Sequence, residues 1–256
     1  MEYKNIIKNM DFFEGLDELI ENNIQLDMAL IDLPYAMTEN EWDKEIDLAL
    51  FWEKINKVIK KNGVIALCST GIFSAKLIMS NPKYYKYDLI WQKDRPSGFL
   101  NAKRQPLRDH EQILIFYRKQ PVYNPIFKEG KPLHGMGNKF KEKISKNNNY
   151  GSFKSNENPS ALRAGDTKKY PRSFLGTYKR PHPPKHATQK PLQLFMDIIY
   201  MYSNPGDVIL DCCMGYGTTA LACLELGDRY YYGFELNKEY FDLSINNIMA
   251  MKNREE

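Results

Sequence analysis

The sequence has little cysteine, no long apolar run and no targeting segment, and each absence narrows what the protein can be. Cys68, Cys212, Cys213 and Cys223 form neither a CxxC pair nor an extracellular spacing, so we expect reduced thiols rather than disulfides or a zinc site. No stretch approaches the ~18 apolar residues of a membrane helix, and residues 1–15 lack the layout of a signal peptide. We therefore expect a cytoplasmic protein.

The overall composition is that of an ordinary globular chain. It has 256 residues, of which 43% are hydrophobic, and a formal net charge of +4. These values suit one globular domain with an insertion and argue against a fibrous or disordered chain. The four histidines have no partners at metal-ligand spacing, so we predict no metal site.

The small net charge hides a strong asymmetry along the chain. Residues 92–190 hold 22 Lys and Arg against 7 Asp and Glu, a net charge of +15, whereas the remaining residues have a net charge of −11. A surface that meets a polyanion needs clustered cations to displace its condensed counterions. The asymmetry therefore predicts a nucleic-acid partner, with a basic surface that has no ligand as the alternative.

Short apolar runs alternate with amphipathic stretches. Residues 28–32, 64–68, 88–91 and 113–117 have the pattern of buried strands, and a stripe of apolar residues between the first two indicates a helix packed on a sheet. The alternation returns after Lys190. It predicts an α/β fold with a doubly wound, mostly parallel sheet, whose functional loops follow the carboxyl ends of the strands.

The periodicity is absent from residue 119 to residue 186, where Gly, Pro, Asn, Lys and Tyr dominate. We predict that residues 1–118 form one catalytic half, residues 187–256 the other half, and residues 119–186 an inserted basic region. A structureless connection of this length is unusual inside a compact domain. Its aromatic and Arg content favours binding over simple disorder, because aromatic rings stack on bases.

The first loop with chemistry follows the strand at residues 28–32. Asp32 ends this strand and is followed by Leu33, Pro34 and Tyr35. Because Pro34 favours an extended Leu33, the Leu33 carbonyl and the Asp32 carboxylate are expected to face one spot. Two acceptors suit an exocyclic amino group, and the Tyr35 ring can lie against the base that bears it. An ordinary strand end with a turn proline is the alternative.

The second loop begins at Asp211 and contains Gly215 and Gly217 before a predicted helix, and the next strand ends at Glu235. Glycines permit close approach of a ligand to the backbone, and an acidic residue at the second strand tip is placed to accept bonds from ribose hydroxyls. Ala220 occupies the last glycine position of the dinucleotide fingerprint, so a nucleoside without a pyrophosphate fits better.

These motifs resemble those of the S-adenosylmethionine-dependent DNA amino-methyltransferases in which the target-amine motif precedes the cofactor motif. Asp32-Leu-Pro-Tyr35 is similar to Asp-Pro-Pro-Tyr, and His186-Ala-Thr-Gln-Lys190-Pro191 to His-Pro-Thr-Gln-Lys-Pro. The loop from Asp211 to Thr219 is similar to Asp-Pro-Phe-x-Gly-Ser-Gly-Thr-Thr, and residues 108–116 to another family segment. The resemblance implies a Rossmann-like methyltransferase fold with an inserted target-recognition region.

The resemblance also implies roles for individual residues. The target-amine residues would be Asp32, Leu33, Pro34 and Tyr35. The S-adenosylmethionine contacts would come from Asp11, Phe12, Lys190, Asp211, Cys213, Gly215, Gly217, Thr218 and Glu235. Asp11 has a second interpretation as a turn cap. The resemblance also allows Lys190 to contact the loop at Asp32, and a solvated lysine at a helix start is the alternative. We assign Arg104 and Arg108 to phosphate contacts or to a solvated surface. The chain departs from the family at Leu33, at Cys212-Cys213 and at Tyr216, and the last two positions alter the expected cofactor wall.

The predicted function is methylation of adenine N6 in double-stranded DNA by base flipping, since in this family an opening Asp usually accompanies adenine and a Ser cytosine N4. Methylation of cytosine N4 and a non-catalytic nucleic-acid-binding role remain open. Cytosine C5 chemistry requires a nucleophilic cysteine in a Pro-Cys loop, which the sequence lacks. The resemblance also suggests a homodimer and a cognate restriction endonuclease as partners.

Overall fold

The computed structural model describes residues 3–35, 46–132, 144–147, 151–154, 166–180 and 189–253, with the backbone alone at 144–147 and 151–154. His134, His182 and His186 lie outside these ranges, as do Phe140 and Tyr150 of the aromatic residues in the predicted insertion.

Helices and strands alternate along the described residues. The helices are α1 (Phe12–Glu21), α2 (Leu48–Val58), α3 (Gly71–Ser80), α4 (Leu192–Tyr202), α5 (Thr218–Leu226) and α6 (Lys238–Lys252). The strands are β1 (Ile6–Asn9), β2 (Leu26–Ile31), β3 (Ile59–Ser69), β4 (Tyr85–Ser97), β5 (Arg108–Tyr117), β6 (Lys128–Glu129), β7 (Ile144–Asn147), β8 (Gly151–Lys154), β9 (Lys168–Lys169), β10 (Phe174–Tyr178), β11 (Val208–Asp211) and β12 (Tyr230–Glu235).

Eight of these strands form one mixed sheet in the order β1-β12-β11-β2-β3-β5-β4-β10. The first five strands in that order run parallel to one another. Strand β5 is antiparallel to both β3 and β4, and β10 is parallel to β4. The predicted α/β fold with a mostly parallel sheet is confirmed. A long connection is needed between parallel neighbours, and the helices supply it.

The central strands are buried on both faces, which explains their continuous apolar runs. Ala29 and Ile31 of β2 belong to a cluster that includes Leu16 of α1, Phe51 of α2 and Phe73 of α3. The alternate β2 residues are also fully buried, and they point to the opposite face. Helices α4, α5 and α6 contact one another in sequence. The two groups of helices therefore make a doubly wound layer structure.

The strand directions bring several chain segments to one edge of the sheet. The carboxyl ends of β2, β3, β11 and β12 meet there because these strands are parallel. Strand β4 is antiparallel to β5, which is antiparallel to β3, so the carboxyl end of β4 reaches the same edge. The start of β5 lies beside it. This edge receives Asp32, Asp211, Glu235 and the connection between β4 and β5.

Residues 125–172 form a second compact unit, in which β6 pairs with β9 and β7 pairs with β8, both antiparallel. The ends of the insertion predicted at 119–186 belong instead to the larger unit, which comprises residues 1–124 and 173–256. Asn124 donates a backbone hydrogen bond to the Met201 carbonyl, and β10 joins the main sheet beside β4. Strand β10 is an edge strand with one buried residue, Leu175, so it lacks the apolar run of an inner strand.

Candidate active site

The Asp32 carboxylate at the tip of β2 is held by two donors. The Tyr35 hydroxyl donates to Oδ1 over 2.7 Å, and Lys190 Nζ donates to Oδ2 over 2.5 Å. The Leu33 side chain between them is buried in the core, and Pro34 is half-buried. The loop is therefore held in place by the buried Leu33 side chain and by the two hydrogen bonds that the Asp32 carboxylate accepts.

The Tyr35 ring packs on Phe73 of α3, with 4.8 Å between ring centroids and 31° between ring planes. Lys190 Nζ lies 5.7 Å from the Tyr35 centroid. Burial and the nearby Asp32 charge raise the pKa of Tyr35 well above its ordinary value. The hydroxyl thus remains a protonated donor to the carboxylate, while Phe73 fixes the tilt of the ring.

A second carboxylate lies behind Lys190. Glu111 Oε2 is 3.7 Å from Lys190 Nζ, and Glu111 Oε1 is 3.0 Å from Lys93 Nζ. Lys93 also donates to the Ser97 hydroxyl over 3.1 Å. Asp32, Lys190, Glu111 and Lys93 thus form a row of alternating charges, which we call the charge row. Its members come from the residue that follows β2, from the segment before α4, from β5 and from β4.

The charge row is largely removed from water. The side chains of Lys93, Lys190 and Glu111 are 6%, 9% and 15% exposed. Burial opposes the charged form of Lys190, but the charges of Asp32 and Glu111 reverse this and raise its pKa overall. Among the described residues, Glu111 Oε2 is a buried oxygen without a hydrogen-bond partner. It therefore faces Lys190 through charge alone.

Sequence reasoning missed Lys93 and the role of Glu111. Glu111 lies in the segment at residues 108–116 whose resemblance to the family was noted, but that segment suggested no partner for it. Trp91 and Glu111 are register partners across the antiparallel β4–β5 pair, which places Lys93 and Glu111 near each other. An acidic residue and a lysine within neighbouring buried strands indicate an ion pair. The pair can be identified from the sequence only when the register of the two strands is known.

The loop after β11 is closed by the Asp211 carboxylate. Oδ1 accepts the backbone N–H of Cys213 over 3.0 Å, and Oδ2 accepts the Thr219 hydroxyl. Asp211 is 3% exposed, and burial raises its pKa to about 7, against the opposing effect of these two donors. Asp211 therefore stabilises the turn between β11 and α5.

Glycines allow the same loop to approach Glu235. Gly215 and Gly217 both have positive φ, of 49° and 90°, and Gly217 precedes the buried Thr218 at the start of α5. The Gly215 N–H donates to Glu235 Oε2 over 2.6 Å, and the Asn237 N–H donates to Oε1 over 2.9 Å. Burial raises the pKa of Glu235, although these backbone donors act in the other direction.

The N-terminal segment lies beside Glu235. The Asn9 side chain donates to the Glu235 carbonyl over 2.8 Å. Asp11 caps α1 by accepting the Phe13 N–H over 2.8 Å, and Phe12 packs on the Phe51 ring with 6.4 Å between centroids. The structure thus shows the capping role of Asp11 and leaves its cofactor contact a prediction.

Arg104 and Arg108 lie on the connection between β4 and β5, and both are exposed. Arg108 opens β5, where it is the register partner of Ser97. The structure places them at the same edge of the sheet as Asp32, on the connection between strands that β2 and β3 separate from β11.

Within the part of the chain that the structure describes, no group of three His, Cys, Asp or Glu side chains could hold a metal ion, and no helix has the length and apolarity to cross a membrane. All four cysteines, which lie within the described ranges, are free thiols.

A doubly wound sheet, a glycine loop after β11 and an acidic residue at the tip of the next strand define the Rossmann-like methyltransferase class. The family model described as DNA methylase, of the N6/N4 type, matches residues 26–246, which is most of the chain. The protein therefore belongs to the N6/N4 DNA methylase family, whose members are S-adenosylmethionine-dependent DNA amino-methyltransferases.

Relatives and solved structures agree with this assignment. The chain is 28% identical to the Type II methyltransferase M1.MboII of Moraxella bovis, over 92% of this chain and 93% of that protein. It is 25% identical to M.HinfI of Haemophilus influenzae, over 98% and 70% of the two chains. The structure of the M1.HpyAVI complex with S-adenosylmethionine superposes with a TM-score of 0.64 and 26% identity, over 94% of this chain and 98% of that one. The cytosine-N4-specific PvuII DNA methyltransferase, at 15% identity and a TM-score of 0.63 over 98% and 92%, shares the fold.

The residues near Glu235 fit the family's cofactor. Two glycines with positive φ leave the loop after β11 free of side chains at residues 215 and 217, and a buried carboxylate stands at the next strand tip. These are the features by which this fold class holds a nucleoside.

Proposed function

We propose that the protein methylates adenine N6 in duplex DNA, at a specific site, with the target base rotated out of the helix. The observation that carries the proposal is the Asp32 carboxylate at the tip of β2, held by Tyr35 and Lys190 and placed at the same sheet edge as the loop after β11. The names of its Type II relatives support a role beside a restriction endonuclease, which we propose as a partner in the same cell.

Asp32 would orient the amine rather than deprotonate it beforehand. The lone pair of an aromatic amine is delocalised into its ring, so the nitrogen attacks more readily once it becomes pyramidal. Hydrogen bonds from its two N–H groups to Asp32 and to the Leu33 carbonyl favour that geometry and stabilise the positive charge that develops. Lys190 and Tyr35 keep the carboxylate in position, and such positioning of a catalytic group lowers the barrier further.

S-adenosylmethionine supplies an electrophilic methyl group on a sulfonium when it is bound. Attack by the amine nitrogen would form the new carbon–nitrogen bond while the sulfur–carbon bond breaks and leaves its electron pair on sulfur. The nitrogen then carries one proton too many, and Asp32 is the acceptor nearest to it. Glu235 would accept ribose hydroxyls, with Gly215, Gly217 and Thr218 providing the backbone surface, and Asp11, Phe12, Asp211 and Cys213 completing the pocket.

The target amine is buried in a duplex, so the base has to leave the stack at a cost of a few kcal/mol. Stacking on an aromatic side chain contributes about 1–3 kcal/mol per base. Tyr35 carries this role in the proposal, because Phe73 supports its ring from one side and Asp32 fixes its hydroxyl. Arg104 and Arg108 would contact phosphates from the β4–β5 connection.

Adenine is favoured over cytosine because Asp32 opens the target-amine motif, where the family resemblance associates Asp with adenine and Ser with cytosine N4. The contact between Lys190 Nζ and the Asp32 carboxylate supports a role for Lys190 in holding Asp32, which we propose in place of a cofactor contact.

Incubation of the full chain with isotopically labelled S-adenosylmethionine and unmodified bacterial DNA tests the proposal. Nucleosides are then separated by mass spectrometry. Label on N6-methyldeoxyadenosine is expected, and label on N4-methyldeoxycytidine would instead assign the cytosine reaction. Absence of label, with cofactor binding intact by calorimetry, would leave a non-catalytic nucleic-acid-binding protein. Sequencing of DNA from a host that expresses the protein gives the methylated sequence.

A further inference from the structure

Two adjacent apolar side chains stand in solvent at the tip of the β4–β5 connection. Phe99 is 79% exposed and Leu100 is 99% exposed. Other highly exposed apolar residues, such as Met79 and Met249, are single positions on helices α3 and α6. A neighbouring Phe and Leu at the end of a projecting hairpin is an arrangement that marks an interaction site.

The apolar tip is surrounded by positive charge. Residues 95–108 contain Arg95, Lys103, Arg104 and Arg108 and no acidic residue. All four cationic residues are exposed, and Arg108 lies at the start of β5, opposite Ser97. A polyanion satisfies these charges, whereas an apolar protein surface or another cationic surface would leave them unpaired.

The tip has an ordered backbone. Gly98 has a φ of 87° and lets the chain turn into the short 3-10 helix at Phe99–Asn101. The Asn101 N–H donates to the Gly98 carbonyl over 2.9 Å, and the Arg104 N–H donates to the Asn101 carbonyl over 2.8 Å. The two apolar side chains are thus presented by a formed turn, which lowers the ordering cost of binding.

The hairpin continues the two strands that carry Lys93 and Glu111 of the charge row. Lys93 and Glu111 lie at its base and connect through Lys190 to Asp32. From Lys93 to Ser97 the strand rises roughly 3.3 Å per residue, so the tip projects about 13 Å or more beyond the level of Lys93. The projection is from the sheet edge that carries Asp32, and it points away from the core.

We propose that Phe99 and Leu100 form a wedge that enters the DNA stack beside the extruded base. Apolar side chains inserted between base steps unstack them and hold the duplex open. Arg95, Lys103, Arg104 and Arg108 bind the phosphates on either side, which sets the depth and position of insertion. This inference rests on the proposed function and identifies the part of the chain that opens the duplex.

The wedge is tested with the full chain carrying Phe99→Ser and Leu100→Ser, and with Met79→Ser and Met249→Ser as the matched control. The substrates are two short duplexes that contain the methylated sequence, as identified by sequencing DNA from the expressing host. In one the target base is paired, and in the other the nucleotide opposite it is abasic, so that pairing is already lost. Single-turnover methylation rates are compared with those of the wild-type protein.

The wedge predicts that the Phe99/Leu100 variant loses at least tenfold in rate on the paired duplex and stays within threefold of wild type on the abasic duplex. The control should match wild type on both. Equal losses on both duplexes, or no loss on either, would overturn the wedge. If wild type methylates neither duplex, the proposed function fails, and the wedge fails with it.

Cofactor binding and oligomeric state complete the test. Calorimetry with S-adenosylmethionine should give the same affinity for the variant and wild type, because both residues lie in solvent. Sedimentation velocity should also give the same mass for the two proteins. A fall in mass on substitution would show that a second copy of this chain covers the tip, and it would overturn the DNA contact.

Discussion

Lys190 Nζ lies 2.5 Å from Asp32 Oδ2, in a contact that joins two segments 158 positions apart in the chain. The lysine precedes α4, and the aspartate ends the strand before the target loop. Because both groups are mostly shielded from water, their attraction is screened less than that of a surface pair. The contact therefore fixes the direction of the carboxylate before a substrate arrives.

Removal of the Asp32 carboxylate tests its role directly. We expect Asp32→Ala and Asp32→Asn to lower turnover by about 10²–10³-fold or more, as loss of a group that stabilises developing charge does. Affinity for S-adenosylmethionine, measured by calorimetry, should change little. Asp17→Asn, at a half-exposed carboxylate paired with Lys54, is the control and should keep the wild-type rate. A near-normal rate for Asp32→Ala would reject the assigned role.

Lys190 should act through Asp32. Lys190→Met removes the donor to Oδ2 and should lower kcat by about tenfold to a hundredfold while leaving the KM for S-adenosylmethionine within threefold. Lys190→Arg retains the charge and should restore part of kcat. If Lys190→Met raises the KM for the cofactor and spares kcat, then Lys190 is a cofactor ligand, as the family resemblance first suggested.

Glu111 balances two buried lysines, so its loss should destabilise the fold. Breaking a buried ion pair typically costs 3–5 kcal/mol, and we expect Glu111→Gln to lower the free energy of unfolding by about 3 kcal/mol. Replacing Lys93 and Glu111 together, by Met and Leu, should cost less than Glu111→Gln alone. Urea denaturation measures the free energy of unfolding of the single variant and of the double variant. Glu53→Gln, in the exposed pair with Lys57, should have no measurable effect.

The parts of the site that could be predicted from sequence are those carried by single strands and their following loops. Asp32, Asp211 and Glu235 each end an apolar run, and parallel strands bring such ends to one edge. The Lys93–Glu111 pair could not be predicted because it depends on the register of an antiparallel pair. Strand β10 was missed because an edge strand needs no apolar run, and the exposed Phe99 and Leu100 have no sequence pattern that separates them from core residues.

Gly217 should be sensitive to substitution for two separable reasons. Its φ of 90° is unfavourable for any residue with a Cβ, and a Cβ there would lie 3.1 Å from the Ser244 Cβ. Gly206 has a φ of 91° but nothing within 4 Å of such a Cβ, which makes Gly206→Ala the matched control. We expect about 1–2 kcal/mol of destabilisation for Gly206→Ala and more for Gly217→Ala by urea denaturation. Only Gly217→Ala should weaken S-adenosylmethionine binding. Equal losses of affinity in the two variants would contradict this prediction.

Asp211 should make stability depend on pH in a defined direction. Its folded-state pKa is raised from 3.8 to about 7, so the folded protein holds this proton more tightly than the unfolded chain. The resulting stabilisation is complete below pH 3.8 and is lost as the pH rises through about 7. Within that interval the free energy of unfolding falls by up to about 1.4 kcal/mol per pH unit from this group. Asp211→Asn has no such proton, so urea denaturation at pH 5, 6 and 8 should give a smaller decline for the variant than for wild type. Parallel declines would show that the Asp211 carboxyl is ionised throughout, and that its contacts with Thr219 and Cys213 outweigh its burial.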